Sequence, residues 1–166
     1  DLDPKKRTIA LCPGSRRQEL DKLLPILLKT AEMLGDNQYL MPLSSSKYKE
    51  TVQKTIGTSG VNIRLIEGFN YDVLKYSDLA ISKSGTIILE SVILGTPVIM
   101  FYKLSKLTYY IAKYLLKVNL PYYSMPNLLA GKKVVTELVM DDATPEKLSI
   151  EAKKLLNDPA VMTKSY

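Results

Sequence analysis

Five short apolar runs, at residues 7–12, 38–43, 61–66, 78–82 and 98–101, alternate with segments of helical or polar character. No other feature restricts the chain as much. Strands that alternate with helices predict an α/β fold built on a mostly parallel sheet. Ligands in such folds sit beyond the carboxyl ends of the strands. The predicted helices cover 16–24, 26–34 (opened by Pro25 as a second piece and ended by Gly35), 47–56, 70–76, 86–94 and 145–157. Residues 134–140 form one more short apolar stretch.

Two turns follow predicted strands at the same end of the sheet. In the first, Pro13-Gly14-Ser15 leads into Arg16-Arg17-Gln18-Glu19. Ser15 and Gln18 have the spacing of a capping box. A helix N-terminus also binds anions through its free N–H groups, and forked guanidinium donors beside it suit a diphosphate. In the second, Ser84-Gly85-Thr86 opens an apolar segment that carries one carboxylate, Glu90, and closes at Gly95-Thr96-Pro97. That segment reads as a buried helix, although its β-branched residues leave a strand open. A lone Glu among Ile, Leu and Val needs a polar partner when buried, and a pair of ligand hydroxyls is one candidate. Neither turn contains Gly-x-Gly-x-x-Gly or Gly-x4-Gly-Lys-Ser/Thr.

Composition narrows the chemistry. The net charge of +6 favours phosphates, anionic lipids or nucleic acid as partners, or else serves solubility. With no histidine in these 166 residues, a Ser-His-Asp or Cys-His mechanism and a His-based zinc site built within them are excluded. The single cysteine, Cys12, follows an apolar run and reads as a small core residue; no internal disulfide can form. No apolar run approaches the ~20 residues that span a bilayer. Residue 1 is Asp and no signal-peptide pattern follows. The expectation is one domain, cut from a longer protein at both ends.

Two further stretches each have a structural and a functional reading. In the segment 104–117, Lys106, Lys113 and Lys117 share one helical face with Tyr109, Tyr110 and Tyr114 nearby. The segment is either a helix packed on the core with solvated lysines, or an amphipathic helix at a lipid headgroup surface. Pro121 to Asn127 reads as a rigid loop. Asn127 can donate and accept at once, as recognition of a base requires, or it can cap a turn.

Several blocks resemble the lipid-A-disaccharide synthase family. Leu11-Cys12-Pro13-Gly14-Ser15-Arg16-Arg17-x-Glu19 resembles its "LLPGSR…E" block, and Ser84-Gly85-Thr86-x-x-Leu89-Glu90-x4-Gly95-Thr96-Pro97 its "SGT…LE…GTP" block. Leu107-Thr108-Tyr109-x-x-Ala112-Lys113 is similar to its "LTY…AK" helix, and Ser124-Met125-Pro126-Asn127-Leu128-Leu129-Ala130-Gly131 to its "SLPNLLAG" block. The blocks keep their order from about Thr8 to Leu148.

The resemblance implies a GT-B glycosyltransferase with two Rossmann-like halves, this chain being most of the UDP-binding half. The implied reaction transfers 2,3-diacylglucosamine from UDP to 2,3-diacylglucosamine 1-phosphate, without metal or other cofactor, at the cytoplasmic face of the Gram-negative inner membrane. Carried over by position, Gly14, Ser15 and Arg16 face the diphosphate from one turn, and Ser84, Gly85 and Thr86 from the other. Glu90 takes the ribose hydroxyls, and Asn127 lies near the nucleotide. Lys106, Tyr109, Tyr110, Lys113, Tyr114 and Lys117 become candidates for lipid contact. The catalytic acid and the acceptor site are expected in the other half, so the chain alone is expected to do no chemistry. Lys83, Lys103, Lys132 and Thr136 depart from the family's usual residues, which are a small residue, two arginines and a proline. The implied partners are the UDP-sugar, the acylated acceptor, the other half and an anionic membrane, with no nucleic acid. Rival readings are another GT-B enzyme of UDP-GlcNAc chemistry and a non-catalytic nucleotide- or lipid-binding module.

Overall fold

The computed structural model describes residues 2–43, 45–103 and 121–158. The strands are β1 (Thr8–Cys12), β2 (Gln38–Leu43), β3 (Ile63–Glu67), β4 (Leu79–Lys83), β5 (Val98–Tyr102) and β6 (Thr136–Val139). All neighbours pair in parallel, in the order β3-β2-β1-β4-β5-β6. The apolar stretch at 134–140 supplies the edge strand β6.

The central strands are apolar throughout because both faces of the sheet are covered. Alternate residues separate into two cores. Ile9, Leu11, Tyr39, Met41, Ile81 and Ile99 pack on one side against α1 (Arg17–Leu34), α2 (Lys49–Gly57) and α6 (Pro145–Asn157). Ala10, Cys12, Leu40, Ala80 and Met100 pack on the other against α3 (Asn70–Lys75) and α4 (Thr86–Ile93). Cys12, 2% exposed, is the core residue the sequence predicts.

Pro25 does not start a new helix: α1 runs unbroken across it. Proline in a helix interior costs about 3 kcal/mol. Leu20, Leu23, Leu24, Leu27, Leu28 and Ala31 are all buried along one face of α1. Each fully buried leucine is worth roughly 1.5–3 kcal/mol, so the packed stripe outweighs the local break. The helix stops at Gly35, whose φ of 76° suits glycine.

The opening of the sheet is fixed by one carboxylate. Asp78, just before β4, accepts from the Thr8 backbone N–H at 2.8 Å and from the Arg7 guanidinium at 3.0 Å. These bonds set β4 beside β1. The order of strands along the chain reverses at that pair, and residues following the two strands are brought together there.

Residues 121–127 are not all loop. Met125–Ala130 form a short helix, α5, with Pro126 in its first turn, where proline needs no N–H.

Candidate functional site at the carboxyl ends of β1 and β4

A cavity of about 210 Å³ opens where β1 and β4 end. Gly14 and Ser15 wall it from the first turn, and Ser84, Gly85 and Thr86 from the second. Glu19, Asn70, Ser82, Lys83 and Glu90 complete its polar lining.

The first turn is organised by Glu19 rather than by Ser15 and Gln18. Arg16 is the N-cap of α1, with extended backbone, and Glu19 occupies the third helical position. Glu19 Oε2 accepts from the Ser15 N–H at 3.2 Å and the Arg16 N–H at 3.3 Å. A carboxylate is a stronger acceptor for these N–H groups than the Gln18 amide, and it is favoured near the helix N-terminus. Gly14 has φ of 108°, and a Cβ there would run into Glu19 Oε2. Glycine is required at that position on both counts.

Glu19 Oε1 pairs with the Lys83 ammonium at 3.1 Å, and both side chains are mostly buried. Burial raises the Glu19 pKa. The Lys83 hydrogen bond and charge, with the Arg16 and Ser15 N–H groups, outweigh burial and hold the carboxyl below its ordinary value. Lys83 Nζ also lies 5.7 Å from the centre of the Tyr102 ring.

The second turn opens α4 with Gly85 as N-cap, and no side chain caps the first N–H groups of the helix. Gly85 has φ of 163°, which is extended backbone. A Cβ there would meet only the Lys83 carbonyl oxygen, at 4.0 Å, so the space in front of this glycine is open. The Ser84 N–H donates to the Phe101 carbonyl at 3.1 Å, which ties the turn to β5.

α4 is a helix, as expected, but it is not buried. Ile88 and Ser91 are enclosed, whereas Val92 and Ile93 are 40% and 74% exposed. Only one side of α4 rests on the sheet. Glu90 sits half-buried on the cavity wall, and none of the described residues pairs with its carboxylate. The Cys12 thiol lies on the same wall. Burial pushes its pKa up to about 12, against the Ser82 hydrogen bond and with the help of the Glu90 charge. At neutral pH it stays protonated and is no nucleophile.

Two predicted ligand residues are not on this wall. Arg16 is exposed beside the turn but outside the cavity lining, and Arg17 directs its Nε onto Asp21 at 3.0 Å. Asn127 is fully buried. Its Nδ2 donates to Val135 O and Glu137 Oε1, and its Oδ1 accepts from the Val134 and Val135 N–H groups, at 2.7–2.9 Å. That exhausts the hydrogen-bonding capacity of the amide, so Asn127 holds the segment after α5 and has nothing left for a base. The expected lipid-contact residues Lys106, Tyr109, Tyr110, Lys113, Tyr114 and Lys117 lie outside the described residues.

Two lining residues, Asn70 and Lys83, are not among those the sequence predicts for the site. Asn70 follows β3, and its Oδ1 is fully enclosed without a hydrogen-bond partner among the described residues. The signal for Lys83 was its place directly before the Ser84 turn.

A parallel sheet wound in this order, with a cavity where the strand order reverses, defines a Rossmann-type α/β domain. Solved structures share the fold. They include ADP-heptose LPS heptosyltransferase II of Escherichia coli (TM-score 0.63, 15% identity, 93% of this chain and 48% of that one). UDP-GlcNAc 2-epimerase of Neisseria meningitidis is another (TM-score 0.58, 17% identity, 96% and 38%). Residues 1–165 match the family described as lipid-A-disaccharide synthetase, and the chain belongs to that family. The lipid-A-disaccharide synthase of Acinetobacter baylyi is 42% identical over 95% of this chain, and that of Geobacter sulfurreducens 37% identical over 99%. The chain spans 43% of the length of each of these relatives.

Proposed function

We propose that this chain is the UDP-binding half of a lipid-A-disaccharide synthase. One observation carries the reading: two turns leave adjacent strands at the topological switch point and share a cavity with the Glu90 carboxylate, which pairs with none of the described residues. Backbone N–H groups of the Ser15-Arg16 turn and the start of α4 receive the diphosphate. Gly85 leaves room for it to approach the backbone closely. Arg16, exposed at the rim, adds a flexible cation, and Glu90 accepts from the ribose hydroxyls.

The chemistry follows from where charge develops. As the sugar leaves, negative charge grows on the diphosphate. Fixed N–H groups and the Arg16 charge stabilise that growth and lower the barrier. The sugar transferred is 2,3-diacylglucosamine, the acceptor is 2,3-diacylglucosamine 1-phosphate, and the products are the disaccharide 1-phosphate and UDP. The other half supplies the catalytic acid and the acceptor site, and the whole enzyme works at the cytoplasmic membrane face.

Calorimetric titration of the chain with UDP tests the donor site. One saturable site for UDP, with much weaker binding of uridine, is the expected result. Equal affinity for the two, or no UDP binding at millimolar concentration, would reject it. Incubated alone with both acylated substrates, the chain is expected to form no disaccharide.

A further inference from the structure

We propose that Lys83 is a positioning residue for the diphosphate, because its ammonium neutralises Glu19, the carboxylate this chain keeps inside its own anion-binding turn. The inference rests on the UDP reading above and adds a residue and a device to it.

The puzzle is electrostatic. The Ser15 and Arg16 N–H groups are the donors best placed for a phosphate at the first turn, and Glu19 Oε2 already lies against them. Those contacts, 3.2 and 3.3 Å, are long beside the roughly 2.7–2.9 Å of a tight charge-assisted bond, so the N–H groups retain capacity for another acceptor. Yet a bare carboxylate at this distance would repel a diphosphate. The two side chains are 17% and 22% exposed, so solvent screens that repulsion only in part.

Lys83 answers it from the opposite turn. It is the last residue of β4, directly before Ser84, and its ammonium reaches back to Glu19 Oε1 at 3.1 Å. An ammonium has three donors. Glu19 takes one, the Tyr102 ring faces the group from 5.7 Å, and the residue itself lines the cavity. Lys83 therefore cancels the charge of Glu19 and keeps N–H donors for the incoming phosphate oxygens. The pair also links the two turns, which come from strands far apart in sequence. Glu19 in turn keeps the Gly14-Ser15 backbone in its receptive shape, for which a neutral acceptor would also serve.

The experiment is a calorimetric series with UDP and UMP on five proteins: the natural chain, Lys83→Met, Lys83→Arg, Glu19→Gln and the double variant Lys83→Met/Glu19→Gln. Lys83→Met is expected to weaken UDP roughly 10- to 30-fold and UMP clearly less, in line with the Glu19 carboxylate left without its counter-charge beside the diphosphate. Lys83→Arg keeps the charge and stays within about three-fold of the natural chain. Glu19→Gln keeps an acceptor for the two N–H groups and binds UDP at least as tightly as the natural chain. In the double variant most of the loss is recovered, and a loss larger for UDP than for UMP is the mark that a merely structural role for the pair would not leave. Natural affinity in Lys83→Met, or a double variant as weak as Lys83→Met, would overturn the inference while leaving the UDP site standing. UDP binding by none of the five would overturn the site and this inference together.

Discussion

Gly14→Val is expected to lower the stability of the chain by about 2–4 kcal/mol and to abolish measurable UDP binding. Gly14 has φ of 108°, a region L side chains rarely adopt. Forcing a β-branched residue there costs roughly 1–3 kcal/mol on its own. The new Cβ would also push Glu19 off the Ser15 and Arg16 N–H groups, each of these long, exposed hydrogen bonds being worth about 0.5 kcal/mol. For a domain of this size each kcal/mol moves the melting point by about 2–4 °C, so the variant should melt roughly 5–15 °C lower. Gly85→Ala is the internal control. Its backbone is extended and a Cβ meets open space, so its melting point should stay near that of the natural chain. A Gly14→Val protein that melts with the natural chain would refute this account of the turn.

Glu90→Ala is expected to weaken UDP about 100-fold, close to 2.7 kcal/mol, through the loss of two ribose hydroxyl bonds to a charged acceptor. Stability should barely change, because none of the described residues pairs with this carboxylate. Affinity and stability are thus separated, which is uncommon for a half-buried glutamate. Glu90→Gln keeps one acceptor oxygen and should fall between the two. Calorimetry checks the affinity, and a urea denaturation curve checks the stability. An affinity within three-fold of the natural chain would remove Glu90 from the site.

The strands were readable because burial on both faces writes them as unbroken apolar runs, as at 8–12 and 79–82. Pro25 misled because its local cost is visible in sequence, whereas the leucine stripe gains its weight only once β1 and β2 lie under it. The cap of α1 differed by one residue, Arg16 with Glu19 in place of Ser15 with Gln18. Spacing alone does not rank a carboxylate above an amide. Asn127 was placed by its block, but a buried amide with four partners is a packing fact. The two turns were legible individually. Their meeting required β4 to pair with β1 across seventy residues, which the Asp78 bonds secure and no local pattern announces. The Glu19–Lys83 pair was hidden for the same reason.

UDP lying across the two turns is visible residue by residue in amide-resolved NMR of the chain during a UDP titration. The largest shifts are expected at the Ser15, Arg16, Gly85 and Thr86 amides, with smaller ones near Glu90 and Asn70. Shifts centred instead at the opposite ends of the strands, around Asp36 and Asn62, with the two turns unmoved at saturation, would contradict it.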